Sequence, residues 1–165
     1  MIIPKKIALA NLPTPLQLIN FRGKRFLIKR DDMSGLELSG NKVRKLEYLC
    51  CQAKKEKADY LFTCGGDQSN HSRATAVAAA VCNLKSKLFL WGKDSSNAEG
   101  NLFVDKFVGA DINYLSKKEY DNVNEIMLSE KNKFSQAGLK SYIIPEGGSS
   151  TLGIWGYITF VEELR

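Results

Sequence analysis

Histidine occurs once in this 165-residue chain, at His71, and cysteine four times, at Cys50, Cys51, Cys64 and Cys82. None of the cysteines forms a C-x-x-C pair, so the chain encodes neither a zinc site nor a small disulfide scaffold. The thiols fall on predicted helices and at a strand end, where buried, reduced cysteines are the expected state. No apolar run approaches the roughly 20 residues of a membrane-spanning helix. Met1 to Ala10 lacks the apolar core of a signal peptide and meets Pro13 and Pro15 almost at once. A cytoplasmic protein with no membrane partner is the expectation. There is no internal repeat and no low-complexity linker, and the length suffices for one domain with a real core.

Acidic residues are scarce in the first third. Residues 1–57 hold 13 Lys/Arg against 5 Asp/Glu, whereas residues 58–165 hold 11 against 13. A basic segment raises the question of nucleic acid. Here the charges interleave with apolar helix and strand positions, and no basic run carries interleaved aromatics. Nucleic acid is therefore not an expected partner. Lys54-Lys55-Glu56-Lys57 reads as a solvated helix end, where cations suit the dipole.

What is present is a regular alternation. Short apolar runs predict strands at Arg25–Arg30, Asp59–Cys64, Lys87–Trp91, Asp111–Leu115 and Ser141–Ile144, the last stopped by Pro145. Helical spacing covers Asn41–Lys55, where Val43, Leu46, Leu49, Cys50 and Ala53 share a face. Further helices are predicted at Ser69–Cys82, Asn97–Val108 and Lys117–Gln136, and a last one begins near Thr151. This order implies an α/β fold: an open parallel sheet with helices on both faces. Ligands of such sheets bind at the carboxyl ends of the strands, and Gly65-Gly66 lies at one.

Two segments carry chemistry. In Ser39-Gly40-Asn41-Lys42-Val43-Arg44-Lys45-Leu46-Glu47-Tyr48-Leu49, a lysine sits at the start of an amphipathic helix. There the positive end of the helix dipole disfavours the ammonium form. A neutral lysine is a nucleophile toward carbonyls, including the aldehyde of pyridoxal phosphate; a plain solvated lysine is the alternative. In Cys64-Gly65-Gly66-Asp67-Gln68-Ser69-Asn70-His71-Ser72-Arg73, two glycines allow a tight turn into a helix. The polar cluster beside the free N–H groups of its first turn suits a carboxylate or phosphate. An ordinary strand-to-helix turn capped by Ser69 or Asn70 would use the same residues.

Together the two segments resemble a known family: the pyridoxal-phosphate enzymes grouped as 1-aminocyclopropane-1-carboxylate deaminases and D-cysteine desulfhydrases, of the same fold type II as tryptophan synthase β. Pro13-Thr14-Pro15-Leu16, Ile28-Lys29-Arg30-Asp31-Asp32-Met33-Ser34-Gly35 and Pro145-Glu146-Gly147-Gly148-Ser149 fit the same pattern. Ser39 departs from it, since the family more often has glycine there.

The resemblance implies pyridoxal phosphate as cofactor, held by an imine to Lys42, which also moves a proton as general base. It implies that Asn70 hydrogen-bonds the cofactor's phenolic oxygen and that Ser69 holds the substrate carboxylate and takes part near the reacting carbon. Asn41 is an implied cofactor neighbour, and Gln68 and His71 are implied substrate neighbours; packing and capping are the alternative for each. Arg44 and Arg73 are expected in structural ion pairs.

His71 after the Ser-Asn pair resembles the desulfhydrase branch. This favours β-elimination from D-cysteine to pyruvate, sulfide and ammonia over ring opening of 1-aminocyclopropane-1-carboxylate to 2-oxobutyrate and ammonia. Family members are longer, so residues 1–44 are expected to open a large domain. Residues 45–150 would form the small α/β domain and residues 151–165 the return into the large one. On this reading the chain is the N-terminal part of an enzyme that is a homodimer when complete. Gly147-Gly148-Ser149-Ser150 comes too early to be the family's phosphate cup. A stand-alone protein, or an inactive anion-binding α/β module, is the alternative.

Overall fold

The structure, a computed structural model, describes residues 3–35, 38 and 40–164. Ser39, the departure from the family pattern, lies outside the described residues. Helix α1 (Asn41–Lys55) buries Val43, Leu46, Leu49, Cys50 and Ala53, the face expected from its periodicity. Strand β3 (Tyr60–Gly66), helix α2 (Asn70–Val81), strand β4 (Lys85–Trp91), helix α3 (Gly100–Phe107) and strand β5 (Asp111–Leu115) follow. Helices α4 (Lys117–Tyr120) and α5 (Val123–Gln136) lead to strand β6 (Ser141–Ile143) and helix α6 (Trp155–Glu162). An antiparallel hairpin, β1 (Leu16–Phe21) and β2 (Lys24–Lys29), precedes α1. Among the described residues no helix is long and apolar enough to cross a membrane.

The four later strands form one parallel sheet in the order β5-β4-β3-β6. Alternation along β3 decides which helices cover which face. Leu61 packs with α1 and α2 residues, including Leu46, Leu49, Ala74 and Ala78. Phe62 and Cys64 point the other way, into a cluster with Phe89, Val123 and Met127. On β4, Leu88 and Leu90 meet Ala76 of α2 and Leu102 of α3. Both faces are covered, so the expected doubly covered α/β sheet is what forms. The alanines of α2 let that helix lie close on the strands.

Local rules that the sequence did not announce shift several boundaries. β1 was not expected; it pairs antiparallel with β2 through Arg22 and Gly23, both at positive φ, the geometry of a tight two-residue hairpin turn. The single helix expected at Lys117–Gln136 is two: a Ser116–Glu119 capping box starts the first, and Asn122, at φ −112° and ψ 23°, leaves helical geometry before the second begins at Val123. Helix α3 begins at Gly100, whose φ of +58° sets it apart from the preceding loop. Helix α6 begins at Trp155 rather than near Thr151. Gly153 packs so tightly on the Gly148 carbonyl that any side chain there would collide.

Arg44 joins the ends of the chain. Its guanidinium is 1% exposed; it bonds both carboxylate oxygens of Asp31, both of Glu163 and the hydroxyl of Thr14. Lys29 also pairs with Glu163 at 2.6 Å. Burial would lower the Arg44 pKa, but the hydrogen bonds to Glu163 and Asp31 outweigh it and raise it. Burial likewise opposes ionisation of Glu163, yet its bonds from Arg44 and Lys29 hold it down at about 2. Arg44 is thus the structural ion pair that its sequence position suggested.

Candidate active site at the carboxyl end of the sheet

Strand β3 ends at Gly65-Gly66, and Ser69 caps the helix that follows, its Oγ accepting from the Ser72 N–H at 3.2 Å. A Cβ at Gly65 would lie 2.6 Å from Ser69 Cβ and Oγ and from Ser72 Oγ. Only glycine lets the strand run under this turn. Ser69 therefore does cap the helix, and its hydroxyl proton remains available to a ligand.

Asn70 and Gln68 meet the start of α3. Asn101 donates its Nδ2 to the Gln68 carbonyl (2.7 Å) and to Asn70 Oδ1 (3.0 Å), while its backbone N–H bonds Gln68 Oε1 (3.0 Å). Gln68 Nε2 reaches the Glu99 carbonyl at 3.2 Å. Both ends of the Gln68 amide are thus engaged with α3, which makes it a clamp between elements.

His71 is buried beneath the turn. Its Nε2 lies 2.9 Å from Thr63 Oγ1, which itself donates to the Ile144 carbonyl at 2.8 Å. With its only proton committed, the Thr63 hydroxyl accepts from Nε2–H, leaving Nδ1 bare and without a partner among the described residues. Burial first, then the charges of Lys42 and Lys45, lower the His71 pKa to about 4, so the ring is neutral at ordinary pH. It packs under the Ile144–Gly148 segment, where a Cβ on Gly148 would fall 3.5 Å from its Cε1.

Lys42, half-buried in the first turn of α1, faces that same segment: a Cβ on Gly147 would sit 3.7 Å from its Nζ. Gly147 and Gly148 both adopt positive φ, and a Cβ on Gly148 would press on Leu49, Lys45 and His71 at 3.3–3.5 Å. The segment that comes too early for the family's phosphate cup thus arches over the lysines. Lys45, one turn on, donates to the Gly147 carbonyl (3.0 Å) and lies 3.4 Å from Ser149 Oγ. Burial and the neighbouring Lys42 charge lower its pKa.

Lys45, Ser149, Ser150, Ile154 and Tyr157 line a cavity of about 400 Å³. Asn41 donates to the Tyr157 hydroxyl at 2.8 Å, and the Tyr157 ring lies 5.5 Å from Lys45 Nζ. Tyr157 arrives there because Gly156 lets α6 cross α1 in backbone contact: a Cβ would fall 2.6 Å from the Arg44 carbonyl. Cys64, next to the glycine turn, is pushed up to about 11 by burial, no state for a nucleophile.

The structure therefore brings Lys42, Asn41, Ser69, Asn70 and His71 to one end of the sheet, with Gln68 in the supporting clamp. Lys45, Tyr157, Thr63 and Asn101 were missed. Helical spacing places Lys45 on the face of Lys42 and was a usable signal; the other three carry none that a single sequence reveals.

The family model described as pyridoxal-phosphate dependent enzyme matches residues 7–165. The bifunctional D-cysteine desulfhydrase/1-aminocyclopropane-1-carboxylate deaminase of Arabidopsis thaliana, a mitochondrial protein, is 45% identical over 96% of this chain and 42% of its own length. A putative 1-aminocyclopropane-1-carboxylate deaminase of Thermotoga maritima is 43% identical over 97% of this chain and 52% of its own. Among solved structures, an ACC deaminase homologue superposes with a TM-score of 0.89 at 34% identity, over 98% of this chain and 50% of that one. The chain spans about half the length of the curated relatives it matches.

Proposed function

The chain belongs to the family of pyridoxal-phosphate dependent enzymes, and from that premise we propose that it serves β-elimination from D-cysteine, giving pyruvate, sulfide and ammonia. The observation that carries the reading is the glycine arch lying over the amines of Lys42 and Lys45, at the same end of the sheet as the capped turn after β3. The donor set fits the cofactor. Lys42 offers an amine for its aldehyde, Asn70 an amide N–H for its ring oxygen, and Lys45, held on the Gly147 carbonyl, a cation beside Lys42 for its phosphate. When bound, pyridoxal phosphate supplies an electron-withdrawing ring that takes up the electron pair left by a departing proton.

This chain's residues supply the rest. Lys42 Nζ holds the cofactor and then moves the proton at the substrate's α-carbon. Ser69 Oγ–H and the free N–H groups of α2's first turn bind the substrate carboxylate, an anion at the positive end of a helix. Asn41, tied to Tyr157, keeps the first turn of α1 in place. His71, neutral and buried, holds the arch against the two lysines without adding a third charge. Ring opening of 1-aminocyclopropane-1-carboxylate is the second reading, favoured by the names of the Thermotoga relative and the solved neighbour.

Homodimer assembly, a cytoplasmic setting, and the division into residues 1–44, 45–150 and 151–165 belong to the same proposal. The Arg44 cluster supports the division, since it ties Thr14 and Asp31 to Glu163.

The test has two arms. Pyridoxal phosphate trapped with borohydride should mark Lys42 above all other lysines, with the mark lost in Lys42→Ala. With D-cysteine, sulfide should appear faster than 2-oxobutyrate does from the cyclopropane substrate. Scattered labelling would end the cofactor assignment, and the reverse ranking would end the preference for D-cysteine.

A further inference from the structure

Asn101 touches both Gln68 and Asn70 from another element, and its bonds leave no freedom in how Asn70 faces. The Gln68 main-chain carbonyl, 2.7 Å away, can only accept, so the Asn101 amide must present its NH2 group there. The same nitrogen lies 3.0 Å from the Asn70 amide, which must answer with its oxygen. Asn70 Nδ2 is then the end turned away from α3, with both its hydrogens available. An amide's oxygen and nitrogen are nearly the same size, so packing alone would not choose between the two orientations. A backbone carbonyl, read through Asn101, makes the choice.

The start of α3 is built to hold this clamp. Gln68 Oε1 accepts the Asn101 N–H, one of the donors a helix start leaves unpaired, and Gln68 Nε2 bonds the Glu99 carbonyl. Gly100, at φ +58°, passes so close that a Cβ would lie 2.5 Å from Gln68 Oε1. The fold therefore brings α3 against the turn at residues 68–70 by backbone contact, and Asn101 is the residue that this approach delivers.

We propose that Asn101 is a positioning residue: it fixes the Asn70 amide with its N–H groups toward the ligand, so that Asn70 donates to an electron-rich oxygen and rejects a donor. The inference rests on the reading above in one respect, the identity of that oxygen as the ring oxygen of pyridoxal phosphate. The orientation itself stands without it.

The experiment follows the Asn70 side-chain amide by 1H–15N spectroscopy in the ligand-free protein, assigned by its loss in Asn70→Ala. Asn101→Ala is expected to move and broaden that pair of signals by freeing the amide to turn over, with the melting temperature little changed. Unmoved signals overturn the proposal. The second readout is pyridoxal phosphate affinity, followed by the cofactor's visible absorbance. Asn101→Ala should weaken it ~3–10-fold, the worth of one neutral hydrogen bond, and should have no further effect in an Asn70→Ala background. An undiminished loss in that background would mean that Asn101 acts through Gln68 or the fold, and would also overturn it. Should Asn70→Ala itself leave affinity unchanged while the amide signals respond to Asn101→Ala, the orientation stands and the cofactor reading of Asn70 fails. If the alanine variant does not fold, Asn101→Ser, which keeps one short donor, takes its place: moved signals support the orientation and unmoved ones overturn it.

Discussion

Two sheets of this molecule are written in much the same residues and live in opposite surroundings. The hairpin strands Leu16–Phe21 and Lys24–Lys29 carry leucine, isoleucine and phenylalanine, yet Leu18 is 59% and Leu27 66% exposed. Strand β3 carries Leu61 and Phe62 at 0%. The difference is not one of strand propensity. Helices α1, α2 and α3 cover one face of the parallel sheet and α5 the other, whereas among the described residues no hairpin side chain joins a core cluster. Lys29 is held by Glu163 and Thr14. Apolar content makes a strand; only a neighbouring layer buries it.

The contrast is sharpest at matched substitutions. Phe62→Ala should cost about 3–5 kcal/mol in denaturant unfolding, because Phe62 is fully enclosed and its loss leaves a cavity among Phe89, Phe134 and Tyr60. Arg44→Met is expected to cost about 3–5 kcal/mol as well, since it removes the buried guanidinium that Asp31 and Glu163 share and leaves the Asp31 carboxylate with only the Thr14 hydroxyl among the described residues. That loss should be seen as early release of the chain ends in hydrogen exchange.

Acid acts on the same cluster. Glu163 has a folded pKa of about 2, below the ordinary 4.5. Its contribution is therefore complete above pH 4.5 and is lost as the pH falls toward 2. Stability measured across that window should drop, and Glu163→Gln should flatten the drop. Gly156→Ala, which drives a methyl into the α1 backbone, should cost about 1–3 kcal/mol and pull Tyr157 from Asn41. Leu27→Ala sits at the small end, within about 0.5 kcal/mol. A Leu27→Ala cost approaching that of Phe62→Ala would break the comparison, for the hairpin would then have to be covered by something in solution.

How much was legible follows the same divide. The limits of α1 are readable residue for residue, because its apolar face repeats at helical spacing over four turns. The glycine turn after β3 and the serine cap of α2 are legible because sterics and capping act within three or four residues. β1 was missed: its turn is Arg22-Gly23, not one of the asparagine or aspartate pairs that mark a hairpin. Gln68 and His71 are readable as part of the turn into α2 but not in what they touch. The clamp to Asn101 and the packing under Gly148 depend on partners elsewhere in the chain.

By itself the sequence determined the alternation of strands and helices, the family resemblance, and the places of Lys42 at the start of α1 and of Ser69 and Asn70 at the start of α2, since each is written in a short span. Tertiary structure alone decided that Asn41 meets Tyr157 across 116 residues and Asn70 meets Asn101 across 31. It also decided that the arch at Gly147 closes over Lys42 and Lys45. The physical reason is one of range. Propensity, capping and glycine freedom act along the chain, whereas the direction of an amide is fixed by whichever carbonyl the packed helices bring within about 3 Å of it.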